Sequence, residues 1–268
     1  MTTKFRLTAL ALLVAIFSVQ CTNDGSDVPN YPTSVESHFT AGVFSYDGID
    51  IKYQEATVKP TSSGTTSLMV VLHGQKSSGS DNKSQIRHDS MIRIWHNLSK
   101  GNDKVVILAP QCSASRAWDE TTSKVKGTTM TQALKVMIDD FVNRNPSIDH
   151  TKIYILGYSD GAQPAGAGGV WRMLSDYPDL FAAGMIVAAD PDESIVAENI
   201  AKTAVLSVKS EMDAHAVALT LDSFGDQVRD AGGVLKEVVL EVRTREDICR
   251  EAFSSESLEW VLQYSKNK

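Results

Sequence analysis

The sequence predicts an α/β fold, a mostly parallel sheet covered by helices on both faces. Three observations carry that expectation. Short continuous apolar runs, SLMVVL (67–72), KVVILA (104–109), KIYILG (152–157), AGMIVAA (183–189) and TAVLSV (203–208), have the length and composition of strands buried on both sides. Segments of helical period lie between several of them: TQALKVMIDDFV, AGGVWRMLSDY and ALTLDSFGDQVRDAG. The alternation of the two, repeated along the chain, is the pattern of crossover-connected parallel strands.

The elements follow in order. The stretch VFSYDGIDIKYQEATV alternates apolar and polar residues around Asp47-Gly48, which predicts a hairpin ahead of the first buried strand. LKEVVLEVR is the last strand candidate, and SLEWVLQYSK predicts an amphipathic closing helix. The 268 residues are 42% hydrophobic and 22% charged, enough for one large domain. A formal net charge of −7 with no Lys/Arg block argues against binding nucleic acid. There is no dinucleotide fingerprint, no phosphate loop and no convincing metal-ligand spacing, so no cofactor is expected.

The N-terminus has its own logic. Lys4 and Arg6 precede an apolar run, Leu7–Val19, that is short for a membrane span, and Cys21 follows Ser18-Val19-Gln20. This resembles the lipobox of bacterial lipoproteins, although Gln20 is larger than the residue usual before the cysteine. The resemblance implies a signal peptide over 1–21, lipidation of Cys21, a polar tether over 22–38 and a folded domain over 39–268, anchored to the membrane in the cell envelope. With Cys21 lipidated, Cys112 and Cys249 remain as a pair, and either a disulfide or two buried thiols fits an oxidising compartment.

Chemistry enters at Gly157-Tyr158-Ser159-Asp160-Gly161, a G-x-S-x-G pattern that follows a strand candidate and precedes a segment rich in small residues. Such a turn exposes the serine near a helix N-terminus, where partial positive charge favours a developing anion. A second feature is VVLHGQ, a strand that ends in His73-Gly74. The series LHG with GSDN, ILAPQC with AWDE, IYILGYSDGA and YPDLFAAGMIVAA then resembles secreted α/β-hydrolases of the polyhydroxybutyrate-depolymerase, feruloyl-esterase and prolyl-oligopeptidase-like group. It runs from about residue 40 to the C-terminus.

That resemblance implies Ser159 as nucleophile and Asp213 in VLSVKSEMDAHA as the acid. It also implies the backbone N–H groups of Gln75 and Asp160 as oxyanion donors, His73 as a brace for the loop, and Trp118 either lining a substrate cleft or packing. The substrate it implies is an ester, with acetyl or feruloyl groups on polysaccharide in view. The family's histidine belongs in a motif just before an Ala-Phe or Ala-Tyr pair. In TREDICREAF, Glu246 stands at that position and Cys249 at that of the family's tryptophan. A carboxylate is a much weaker base than imidazole near neutrality. His215, two residues beyond Asp213, is the best remaining base; His150 begins the serine's own strand and so lies at the wrong edge, while His38, His88 and His96 read as tether, packing or surface residues. Asp190 and Asp192 follow a strand end and read as helix caps or as a substitute acid. Two functions are therefore open: a serine esterase, or a catalytically impaired scaffold that binds a glycan or a partner.

Overall fold

A computed structural model of the chain describes residues 30–58, 65–121, 126–159, 166–210, 223–241 and 244–266. The chain divides into two units, Met1–Asn30 and Tyr31–Lys268, and the description below concerns the second. The expected signal peptide and lipidation site at Cys21 lie outside the described residues. No helix among the described residues is long and apolar enough to cross a membrane.

The unit is built on one eight-stranded sheet. Its strands are β1 (Thr40–Tyr46), β2 (Ile49–Val58), β3 (Thr66–Leu72), β4 (Lys104–Gln111), β5 (Ile148–Tyr158), β6 (Ala183–Val187), β7 (Ala204–Ser210) and β8 (Leu235–Leu240). They lie in the order β1-β2-β4-β3-β5-β6-β7-β8. The β1–β2 and β2–β4 pairs are antiparallel, and every pair from β4–β3 to β7–β8 is parallel. The predicted hairpin closes at Asp47 and Gly48, whose φ angles of 48° and 76° are those of a two-residue turn that matches strand twist. Central β3 is buried along its whole length, whereas edge β1 is largely exposed. A continuous apolar run suits the first and an alternating one the second.

Helices α1 (Ser84–Arg87), α2 (Asp89–Lys100), α3 (Met130–Arg144), α4 (Gly166–Asp176), α5 (Ala197–Ile200), α6 (residues 223–230), α7 (Arg245–Glu251) and α8 (Ser255–Leu262) cover both faces. Two apolar clusters result, one on each side of the sheet. Leu68, Val70 and Leu72 of β3 join Phe141 and Trp171 on one face; Met69 and Val71 join Ile94, Ile248 and Phe253 on the other. The packed unit begins before residue 39. Val35 is buried, His38 stacks on Trp95 of α2, and Arg93 lies over the Tyr31 ring.

The two faces decide the fate of the cysteines. Cys112 belongs to the first cluster and Cys249 to the second, so the sheet stands between them and no disulfide joins them. The disulfide alternative is corrected accordingly. Burial, reinforced by the charges of Glu120 and Asp119, pushes the Cys112 thiol up to about 12 despite Arg116, so it stays protonated.

Candidate active site

Ser159 follows the last residue of β5 at the carboxyl edge of the sheet, where sites in open α/β folds collect. It is 3% exposed, and its N–H donates to Val187 O at 3.0 Å, which ties the turn to the end of β6. Glycine is required around it by close approach. A Cβ on Gly157 would sit 2.4 Å from Gly166 O, and one on Gly166 would sit 2.1 Å from Leu72 O and 2.6 Å from His73 O. The small-residue segment seen in the sequence lets α4 press onto the ends of β3 and β5.

The loop after β3 lies beside this turn, because β3 and β5 are neighbours. His73 is 1% exposed and is held at both ring nitrogens. Nδ1 donates to Gly74 O at 2.6 Å, and Nε2 accepts the Cys112 N–H at 2.9 Å. An acceptor on one side and a donor on the other fix the neutral tautomer. The imidazole therefore braces the loop, as the sequence implied. Gln75 opens a short 3-10 turn, Gln75–Ser77, closed by Ser77 N–H to Gly74 O. The Gln75 N–H has no acceptor among the described residues, as the first donor of a helical turn generally lacks one.

A second brace was not visible in the sequence. Gln111 at the end of β4 donates through Nε2 to Ser77 O at 3.0 Å and to Asp81 Oδ1 at 2.7 Å, and its Oε1 accepts the Asn82 N–H at 2.8 Å. Burial works against the charged form of Asp81. Hydrogen bonds from Ser84, Gln111 and the Lys83 and Ser84 N–H groups outweigh it and hold the carboxyl well below the usual range. Only the polar pair QC after an apolar strand hinted at this role.

Among the described residues Trp118 packs. It is fully buried, edge-on to His73 at 5.5 Å, and a Cβ on Gly169 would lie 2.4 Å from its own Cβ. Of the two expectations for this ring, its burial directly under α4 is the packing one. Asp192 binds its own turn through Ser194 N–H and pairs with Arg172 at 3.1 Å. Asp190 lies 3.9 Å from Lys209 Nζ, which also pairs with Glu237 at 3.3 Å.

Asp160, Asp213 and His215 lie outside the described residues. Glu246 falls on α7, and its side chain is likewise undescribed. The residue pattern did not announce that helix, which is capped by Thr244, whose hydroxyl accepts the Asp247 N–H. Cys249 on α7 directs Sγ at Ser159 O at 3.5 Å, so α7 packs against the serine turn. Of the described histidines, His88 stacks on Tyr158, the residue before Ser159, with centroids 4.7 Å apart. Its Nδ1 caps α2 by accepting the Ser90 N–H at 3.2 Å, which places the proton of the neutral ring on Nε2. His96 packs on Tyr31, and burial, with Lys100 and Arg93, lowers its pKa. His150 begins β5, at the opposite edge from Ser159. No group of three metal-ligating side chains occurs among the described residues.

No family model and no curated protein matches the chain. Solved structures do. A thermostable esterase superposes with a TM-score of 0.69 at 22% identity, over 85% of this chain and 64% of that one. An acylaminoacyl peptidase from Pyrococcus horikoshii gives 0.53 at 16% identity over 83% and 40%. A ferulic acid esterase gives 0.59 at 12% identity over 84% and 97%. The chain thus spans less than two thirds of the first two. With its eight-stranded, mostly parallel sheet and these neighbours, the chain has the α/β-hydrolase fold.

Proposed function

We propose that the chain is a serine ester hydrolase of the cell envelope, with Ser159 as nucleophile. The observation that carries this reading is the pairing of two features at one sheet edge. A serine turn is clamped by close-packed glycines, and the loop beside it, braced by His73, presents the unengaged Gln75 N–H. In the proposed reaction Ser159 Oγ attacks the ester carbonyl, and the Gln75 and Asp160 N–H groups hold the oxyanion. His215 takes the serine proton, Asp213 stabilises the imidazolium, and the proton passes to the departing alkoxide. Water then repeats the sequence on the acyl-enzyme. The solved neighbours named as esterases support ester chemistry, and the feruloyl example brings polysaccharide esters into view. Lipidation at Cys21 would hold the enzyme at the membrane.

A second reading, a hydrolase scaffold that binds a glycan or a partner without turnover, is favoured by Glu246 at the family's histidine position. Loss of the base costs roughly 10³-fold or more in rate. Labelling by a fluorophosphonate probe and hydrolysis of p-nitrophenyl acetate decide between the two. Both activities lost in Ser159→Ala and in His215→Ala establish the esterase. Turnover no better than that of Ser159→Ala sinks it and leaves the binding scaffold.

A further inference from the structure

Helix α3 and the turn at the end of α4 border adjoining open depressions on the flank of the sheet. One of about 410 Å³ lies between Glu120, Gln132, Arg172, Asp176 and Tyr177. Another, of about 370 Å³, shares Asp176 and Tyr177 with it and adds Lys135 and Asp179. A third, of about 270 Å³, shares Asp179 with the second and continues past Asn143 to His150. Sharing these residues, they follow one another along α3 from Gln132 to Asn143, about 17 Å at 1.5 Å per residue, and form a trough. Its upper end lies by Glu120, two residues from the Trp118 that packs under the first turns of α4.

The chemistry of the walls is selective. Glu120 is neutralised by Arg116, and Asp139 by Lys135. Arg172 is only 8% exposed, and its Nη2 is engaged by Asp192 and Ser194. Its Nε has no partner among the described residues, and its Nη1 stands 3.8 Å from Asp176 Oδ1, too far for a hydrogen bond. A hydroxyl in that gap accepts from the guanidinium and donates to the carboxylate, meeting both demands at once. Burial raises the Asp176 pKa, with Arg172 opposing, so the carboxyl gains from a donor. Tyr177, half-buried against the core, offers an apolar ring face beside this pair. A polyanion would face the carboxylates of Asp176 and Asp179, which disfavours it.

We infer that this trough binds an uncharged polysaccharide chain, with the Arg172–Asp176 pair as its main hydroxyl contact and Tyr177 as its stacking surface. The inference rests on the ester-hydrolase reading for the link to catalysis, because it assigns the polymeric part of that substrate. Titration calorimetry of the full chain, in a zwitterionic detergent without sugar headgroups, tests it with xylohexaose, cellohexaose and mannohexaose. At least one should bind with a sub-millimolar Kd, and Tyr177→Ala and the isosteric Asp176→Asn should each weaken it by about tenfold or more. If Tyr177→Ala melts early, Asp176→Asn alone decides. No binding at millimolar sugar, affinity unchanged in Asp176→Asn, or tighter binding of hexagalacturonate or a neutral hexapeptide overturns the inference. The probes carry no ester, so an unreactive Ser159 leaves their binding intact. Failed binding beside active p-nitrophenyl acetate turnover sinks the trough alone.

Discussion

Two glycines two residues apart on α4 should respond to alanine with opposite signs. At Gly166 the added methyl would sit 2.1 Å from Leu72 O and 2.6 Å from His73 O, both backbone atoms at the end of β3. Neither can move without shifting β3 or the loop that starts at His73. Overpacking a rigid site costs about 1–3 kcal/mol, and backbone on the receiving side puts Gly166→Ala at the upper end, about 3 kcal/mol. At Gly168 the nearest atom is Asp119 Oδ2 at 3.5 Å, an ordinary contact. There alanine gains up to about 1 kcal/mol of helix propensity. For a chain of this size, melting should fall by roughly 6–12 °C in Gly166→Ala and rise by about 2–4 °C in Gly168→Ala. Urea unfolding with calorimetry measures both. If Gly166→Ala lies within about 0.5 kcal/mol of the parent, or both variants shift the same way, the argument that close approach sets the serine turn is refuted.

Other consequences are as direct. His73→Ala leaves the buried Cys112 N–H unmet, Gly74 O keeping its bond from Ser77, and should cost about 1–3 kcal/mol in urea unfolding, with p-nitrophenyl acetate turnover falling in parallel. Asp81 has a depressed folded pKa, so its contribution is present above the unfolded value near 4 and is lost as pH falls through the folded one. Stability should therefore decline below about pH 4, and less steeply in Asp81→Asn, as thermal melts against pH would show. Cys112 and Cys249 should resist a disulfide-exchange reagent in the native protein and both react after denaturation without prior reduction. Cys21→Ala should release the protein from the membrane fraction; retention there would refute the anchor.

The sheet was legible because buried parallel strands must be apolar on both faces, and SLMVVL or KIYILG carry that requirement openly. The Asp47-Gly48 turn was legible because few residue pairs accept positive φ twice in succession. Helix α2 was not recognised, although Met91, Ile94 and Leu98 form its buried stripe. Its many polar residues hid the period, and its cap is the uncommon acceptor His88. Helix α7 was hidden for another reason. TREDICREAF was compared with a catalytic motif, while its helical start depends on Thr244 as a cap. Which sheet face each cysteine takes depends on the register of distant elements, so their separation could not be foreseen. The turn at Ser159 and the loop at His73 and Gln75 were legible as local structure because glycine and histidine mark tight turns and loop braces. Gln111 was missed because a glutamine after a strand has no distinctive signature.

The brace at His73 also binds two strand exits to the protonation state of a single ring. Its ring joins the exit of β3 to the exit of β4 only while one nitrogen can receive the Cys112 N–H. A second proton would turn that nitrogen into a donor pointed at another donor, in a site with almost no access to water. The ring would then have to leave its socket, and Gly74 and Gln75 would lose the carbonyl anchor beside them. The path of the chain from His73 into Gln75 thus hangs on the neutral form of one buried imidazole.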